Sequence, residues 1–163
     1  MVSGAKSSGG MMNSTSVRMS HVGLAVSDLE ASLRFYSEGL GFEVGARFEA
    51  GDDVAAVSEV EPPVRSRSQY LSKDGFRLEL LDWEIPGVQG SPSAVRNQLG
   101  LTHLCLEVDD LAETTDRLIA AGATEVPGAS VVVERGPLDI AIAVLADPDG
   151  TRIELLERRE VER

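Results

Sequence analysis

Asp74-Gly75-Phe76-Arg77-Leu78-Glu79-Leu80-Leu81 returns 75 positions later as Asp149-Gly150-Thr151-Arg152-Ile153-Glu154-Leu155-Leu156, with six identities and a Leu/Ile exchange. A chain that writes one turn and strand twice is built from two copies of one unit. A second pair of segments agrees. His21-Val22-Gly23-Leu24-Ala25-Val26-Ser27-Asp28-Leu29 lines up with His103-Leu104-Cys105-Leu106-Glu107-Val108-Asp109-Asp110-Leu111, and the alternating aliphatic positions are kept. The chain has two histidines, and they fall at equivalent places, as do the glutamates of the two final strands.

The segments between these anchors complete the unit. In residues 17–26, Val22, Leu24 and Val26 lie on one side and His21, Gly23 and Ala25 on the other, the period-two pattern of a half-buried strand. Ser27 or Asp28 can cap a helix on which Leu29, Leu33 and Tyr36 recur at helical spacing until Gly39 and Gly41. A strand over 42–48 follows. The acidic stretch 49–65, with Pro62-Pro63, reads as a long loop able to act as a lid. Residues 69–72 and 76–81 form a hairpin through Lys73-Asp74-Gly75, because Asp-Gly accepts the positive φ angles of a tight turn. The second copy repeats this order: a strand over 101–108, a helix capped by Asp109 or Asp110 and ending near Gly122, and strands over 131–133, 140–145 and 151–156. The expected fold is α+β, with two βαβββ units, 17–81 and 101–157, pairing into a cup-shaped sheet within a single domain over 17–157. Residues 82–100, rich in Pro and Gly, connect the units, and residues 1–16 are small and polar enough to be a disordered tail.

Composition narrows the function. A net charge of −12 repels phosphate backbones and anionic membranes, so nucleic acid and membrane are not expected partners. The lone Cys105 cannot form an internal disulfide and is read as structural; with no signal-like apolar run, the expected location is the cytoplasm.

Alternation puts His21, Glu79, His103 and Glu154 on the non-aliphatic faces of their strands. A strand histidine alone is ordinarily a hydrogen-bonded packing residue, and a strand glutamate ordinarily sits on a solvated face beside an arginine such as Arg77 or Arg152. Duplication of both polar positions favours function: two imidazoles and two carboxylates suit a divalent Zn, Ni, Co, Fe or Mn ion and leave positions for water or substrate.

His21-x-Gly-Leu-x-Val-x-Asp-Leu-Glu-x-Ser-Leu-x-Phe-Tyr-x-x-x-Leu-Gly-Phe42, together with the Asp147-Pro148-Asp149-Gly150 turn before Ile153-Glu154-Leu155-Leu156, resembles the vicinal oxygen chelate superfamily. That superfamily contains glyoxalase I, methylmalonyl-CoA epimerase, extradiol dioxygenases and metal-free bleomycin resistance-like binding proteins. The resemblance implies metal ligands at His21, Glu79, His103 and Glu154, and a homodimer. It also implies a small-molecule substrate with vicinal oxygens or a thioester carbonyl. The complete His/Glu/His/Glu set is similar to that of glyoxalase I, whereas dioxygenases use two His and one Glu. Ala25 stands where glutathione-using members carry an arginine, and Trp83 where they carry an asparagine, which argues against glutathione. The implied reaction is a lyase or isomerase step in which Glu154 or Glu79 takes a proton next to a carbonyl and an enediolate forms. The alternatives are an Fe(II)-dependent extradiol-type dioxygenase and a metal-free small-molecule binder.

Overall fold

The computed structural model describes residues 16–160. Most of the expected tail therefore lies outside the described residues. The first unit runs β1 (Val22–Val26), α1 (Leu29–Arg34) continued by a π-helical turn (Phe35–Gly39), β2 (Glu43–Ala50), a 3-10 turn (Asp52–Val54), α2 (Ala55–Ser58), β3 (Arg65–Lys73) and β4 (Phe76–Ile85). The second runs β5 (Leu104–Glu107), α3 (Leu111–Ala120), β6 (Thr124–Arg135), β7 (Leu138–Ala146) and β8 (Arg152–Glu160). Their sheets have the matching orders β1-β4-β3-β2 and β5-β8-β7-β6. In each, the first strand pairs parallel to the last, which seats Gly23 opposite Glu79 and Cys105 opposite Glu154. This α+β duplication is the expected fold class. No helix among the described residues is long and apolar enough to cross a membrane.

Local chemistry explains the elements. The Asp28 carboxylate accepts from Ala31 N at 2.9 Å and the Asp110 carboxylate from Glu113 N at 2.8 Å, so the second residue of each candidate pair is the N-cap. Asp74 and Gly75 both have positive φ, 50° and 81°, as the β3–β4 turn requires. Two expectations change. Residues 49–65 are not an open lid: β2 continues to Ala50, helical turns cover 52–58, and Ala55 and Val64 are buried while Asp52 accepts from Val64 N at 2.6 Å. β6 begins at Thr124, earlier than expected, because a bulge between Glu125 and Ser130 carries Pro127 and Gly128 without ending the strand.

The aliphatic faces of both sheets and both main helices share one core. Leu24, Leu78 and Leu80 from the first sheet join Ile153 and Leu155 from the second, with Phe35, Tyr36 and Leu118 between them. Helix contact is close at Gly39, where a Cβ would lie 3.0 Å from Leu118 Cδ2 and 3.1 Å from Ala121 Cβ. The seam is also polar. Buried Tyr36 donates to Asp147 at 2.8 Å, Arg117 Nε donates to the Gly39 carbonyl at 2.9 Å, and the Ser27 amide and hydroxyl donate to Asp149. Each sheet spends its aliphatic face on this common layer, so its other face, the one bearing His and Glu, looks outward.

Candidate metal centre

On β4, Leu78 and Leu80 are fully buried, so Glu79 is directed to the opposite face, where His21 enters just ahead of β1. His21 Nε2 lies 3.1 Å from Glu79 Oε2. The second copy repeats the pairing more loosely, with His103 Nε2 3.7 Å from Glu154 Oε2. The two sequence-identified pairs therefore form, one in each unit. Within one chain they stay separate, and no group of three or more His, Cys, Asp or Glu side chains among the described residues is gathered for a metal.

A neighbouring hydroxyl, which strand alternation does not single out, supports each pair. Ser20 Oγ lies 2.9 Å from His21 Nδ1, and Thr102 Oγ1 lies 3.0 Å from His103 Nδ1. With a cation between Nε2 and the glutamate, each hydroxyl could accept from Nδ1–H and so leave the Nε2 lone pair for the ion, the tautomer a metal ligand needs. Two ligands at right angles on an ion with bonds of about 2.1 Å stand about 3 Å apart, so the His21–Glu79 spacing fits a shared cation. The duplicated hydroxyl-His dipeptide was visible in the sequence as Ser20-His21 and Thr102-His103.

The two glutamates differ in what else they touch. Opposite Glu79 in the strand register stands Tyr70, whose hydroxyl is raised above its ordinary pKa by burial and then by its hydrogen bond to Glu79. Tyr70 also meets the His21 ring edge-on at 5.3 Å between centroids and carries the Arg77 guanidinium over its own ring at 5.3 Å. Opposite Glu154 stands Val144, which has no hydroxyl. There the Cys105 thiol donates to Glu154 Oε1 at 3.3 Å. Cys105 is exposed, not a packed core residue. Partial desolvation of its sulfur and the Glu154 carboxylate push its thiol up to about 11, so it is protonated at neutral pH and poorly suited to be a nucleophile.

A profile described as the Glyoxalase/Bleomycin resistance protein/Dioxygenase superfamily matches residues 18–155. The chain belongs to this superfamily. Among curated relatives, the ethylmalonyl-CoA/methylmalonyl-CoA epimerase of Cereibacter sphaeroides is 36% identical over 110 residues, covering 65% of this chain and 72% of that protein. The lactoylglutathione lyase of Salmonella typhimurium is 29% identical over 151 residues, covering 90% of this chain and 97% of that protein. Among solved structures, a glyoxalase family protein from Bacillus cereus superposes with a TM-score of 0.75 at 22% identity, over 91% of this chain and 98% of that one. Superfamily membership matches the resemblance read from the His21 and Glu154 motifs, and the named relatives are enzymes of the lyase and isomerase kind that act on small molecules.

Proposed function

We propose that the protein is a divalent-metal-dependent lyase or isomerase that removes a proton next to a carbonyl, working as a homodimer in which the metal is held by His21 and Glu79 of one protomer and by His103 and Glu154 of the other. The observation that carries this reading is the duplicated pair: two outward-facing His/Glu couples at 3.1 and 3.7 Å, each histidine backed through Nδ1 by a hydroxyl. One couple supplies two of the four protein ligands, and the couple of a second protomer across a two-fold axis supplies the other two without rebuilding the shared core, leaving two octahedral positions for water or substrate. Exposed apolar side chains on the strands of both sheets, among them Val44, Phe48, Val131 and Val132, offer surface for that contact.

When bound, the cation would supply positive charge beside a carbonyl oxygen that becomes negative as the proton leaves. The chain's own contribution is the base. Glu79 stands opposite Tyr70 and 3.1 Å from His21; among the described residues Glu154 meets the thiol of Cys105 and a more distant histidine. Glu154, with the looser partners, would therefore serve as the base that takes the proton, and Glu79 as the carboxylate that would hold the cation with His21. A positioned base of this kind contributes about 10² to 10⁴ in rate.

Ala25, in place of a cationic side chain, favours an epimerase-type CoA thioester over a glutathione adduct as substrate. The test is incubation of the metal-loaded protein with methylmalonyl-CoA in D₂O, with mass spectrometry reading deuterium at the α carbon. Incorporation abolished by chelator is the expected result. Incorporation that survives complete metal removal contradicts the metal reading, and Fe(II)- and O₂-dependent ring cleavage of a catechol offered in a parallel assay, without deuterium incorporation into methylmalonyl-CoA, would favour the dioxygenase alternative.

A further inference from the structure

Residues 88–102 cross the edge between the two units and roof a cavity of about 400 Å³ whose wall includes Arg96, His103 and Arg152. The duplicated octapeptide gives Arg152 an exact internal counterpart in Arg77, yet the two side chains behave differently. Arg77 lies over the Tyr70 ring. Arg152 donates from Nη1 to the carbonyl of Gly150 at 2.8 Å, and its buried Nε–H has no acceptor among the described residues. A buried guanidinium N–H without an acceptor is unfavourable in a finished site, and arginine presents its donors in a planar fork that matches carboxylate and phosphate oxygens. Arg96, on the roof, makes no hydrogen bond or ion pair with the described residues. The one carboxylate in the wall, Asp149, is already taken up by the Ser27 amide and hydroxyl.

We infer that this cavity is an anion subsite in which Arg152, assisted by Arg96, receives a carboxylate or phosphate oxygen carried by the substrate. Arg152 and Glu154 share one face of β8 two positions apart, so their Cα atoms are about 7 Å from each other, and His103 lines the cavity itself. An anionic group held here places the remainder of a small molecule against the His103/Glu154 couple. In a chain of net charge −12, such a local cationic pocket also opposes the general repulsion of anions. As a statement about substrate, this rests on the proposed function; as a statement about anion binding, it does not.

The experiment titrates the chelator-treated full chain with malonate and, separately, with inorganic phosphate, by calorimetry at fixed ionic strength and by ¹⁵N NMR of the arginine Nε–H signals. Saturable binding is expected, with an Nε–H resonance that moves on anion addition and disappears in Arg152→Gln. Affinity should fall at least tenfold in Arg152→Gln, severalfold in Arg96→Gln, and less than twofold in Arg77→Gln. Stronger binding of malonate identifies a carboxylate as the natural anion, and stronger binding of phosphate identifies a phosphate. If Arg152→Gln does not fold, Arg96→Gln and the wild-type resonance shift decide. Absence of saturable binding by either anion, or equal affinity in the folded variants, overturns the inference. Because the protein is metal-free throughout, failure of the metal reading leaves these outcomes unchanged.

Discussion

The Tyr36 hydroxyl of the first unit donates to Asp147 Oδ2 of the second at 2.8 Å, and both residues are buried. This bond, with Ser27 to Asp149 and Arg117 to Gly39, fixes how the two copies meet, back to back through their helices. Tyr36→Phe keeps the ring packed against Phe35 and Phe42 but leaves an Asp147 oxygen without its donor. We expect a loss of about 1.5–3 kcal/mol, the range for a hydrogen bond to a charged group, read as a lower urea midpoint at unchanged m-value.

The same seam carries a pH dependence. Burial raises the Asp147 carboxyl above its ordinary value, against hydrogen bonds from Tyr36 and from the Thr151 and Asp149 amides that pull it down. The folded state then holds the Asp147 proton more tightly than the unfolded state does. Its contribution to stability is present below the ordinary carboxylate value and lost as pH rises through the raised one. Unfolding midpoints measured from about pH 4 upward should decline less steeply in Asp147→Asn than in the wild type; identical slopes would refute the assignment.

At Gly39 an added Cβ would meet Leu118 Cδ2 at 3.0 Å and Ala121 Cβ at 3.1 Å, so both would have to give way by a few tenths of an ångström. Gly39→Ala gains helix propensity of up to about 1 kcal/mol but forces Leu118 and Ala121 aside, and overpacking of this kind costs about 1–3 kcal/mol. Thermal unfolding should show a net loss, and Leu118→Ala in the same chain should recover part of it relative to the sum of the single changes.

The unequal surroundings of the two glutamates predict unequal variants. Glu154→Gln should reduce α-deuterium incorporation by about 10² to 10⁴. Tyr70→Phe should instead weaken metal affinity, by about 10- to 100-fold as for other groups that orient ligands, with a smaller effect on the exchange step once the site is saturated. Competition with a chromophoric chelator measures the first quantity and mass spectrometry the second. The reverse pattern would make Glu79 the base.

Much of this was legible in the chain. Asp-Gly turns, the capping aspartates and the alternation around Glu79 and Glu154 act over a few residues, so their consequences appear as written. Alternation also put His21 and His103 on the faces they occupy, because a strand has two sides. It could not say where those faces would be turned. That depends on Gly39 meeting Leu118 and Tyr36 meeting Asp147, contacts between residues far apart in sequence. Tyr70 is not marked in the sequence for a similar reason: its place opposite Glu79 is set by the β3–β4 register, and Val144, its counterpart opposite Glu154, has no hydroxyl. Residues 49–65 looked like a loop from their charge and prolines, while two small side chains, Ala55 and Val64, were enough to pin the segment down.

Selected heterodimers test the two-protomer site most directly. One chain carries His21→Ala with Glu79→Ala, the other His103→Ala with Glu154→Ala, and different affinity tags allow isolation of the mixed species. Each variant alone has no complete site in any pairing with itself, whereas the heterodimer regains one intact set from two damaged chains. Elemental analysis should find about one divalent metal per heterodimer and none above background in either homogeneous variant. A metal-free heterodimer, or a full complement of metal in either variant by itself, would contradict the shared His/Glu centre.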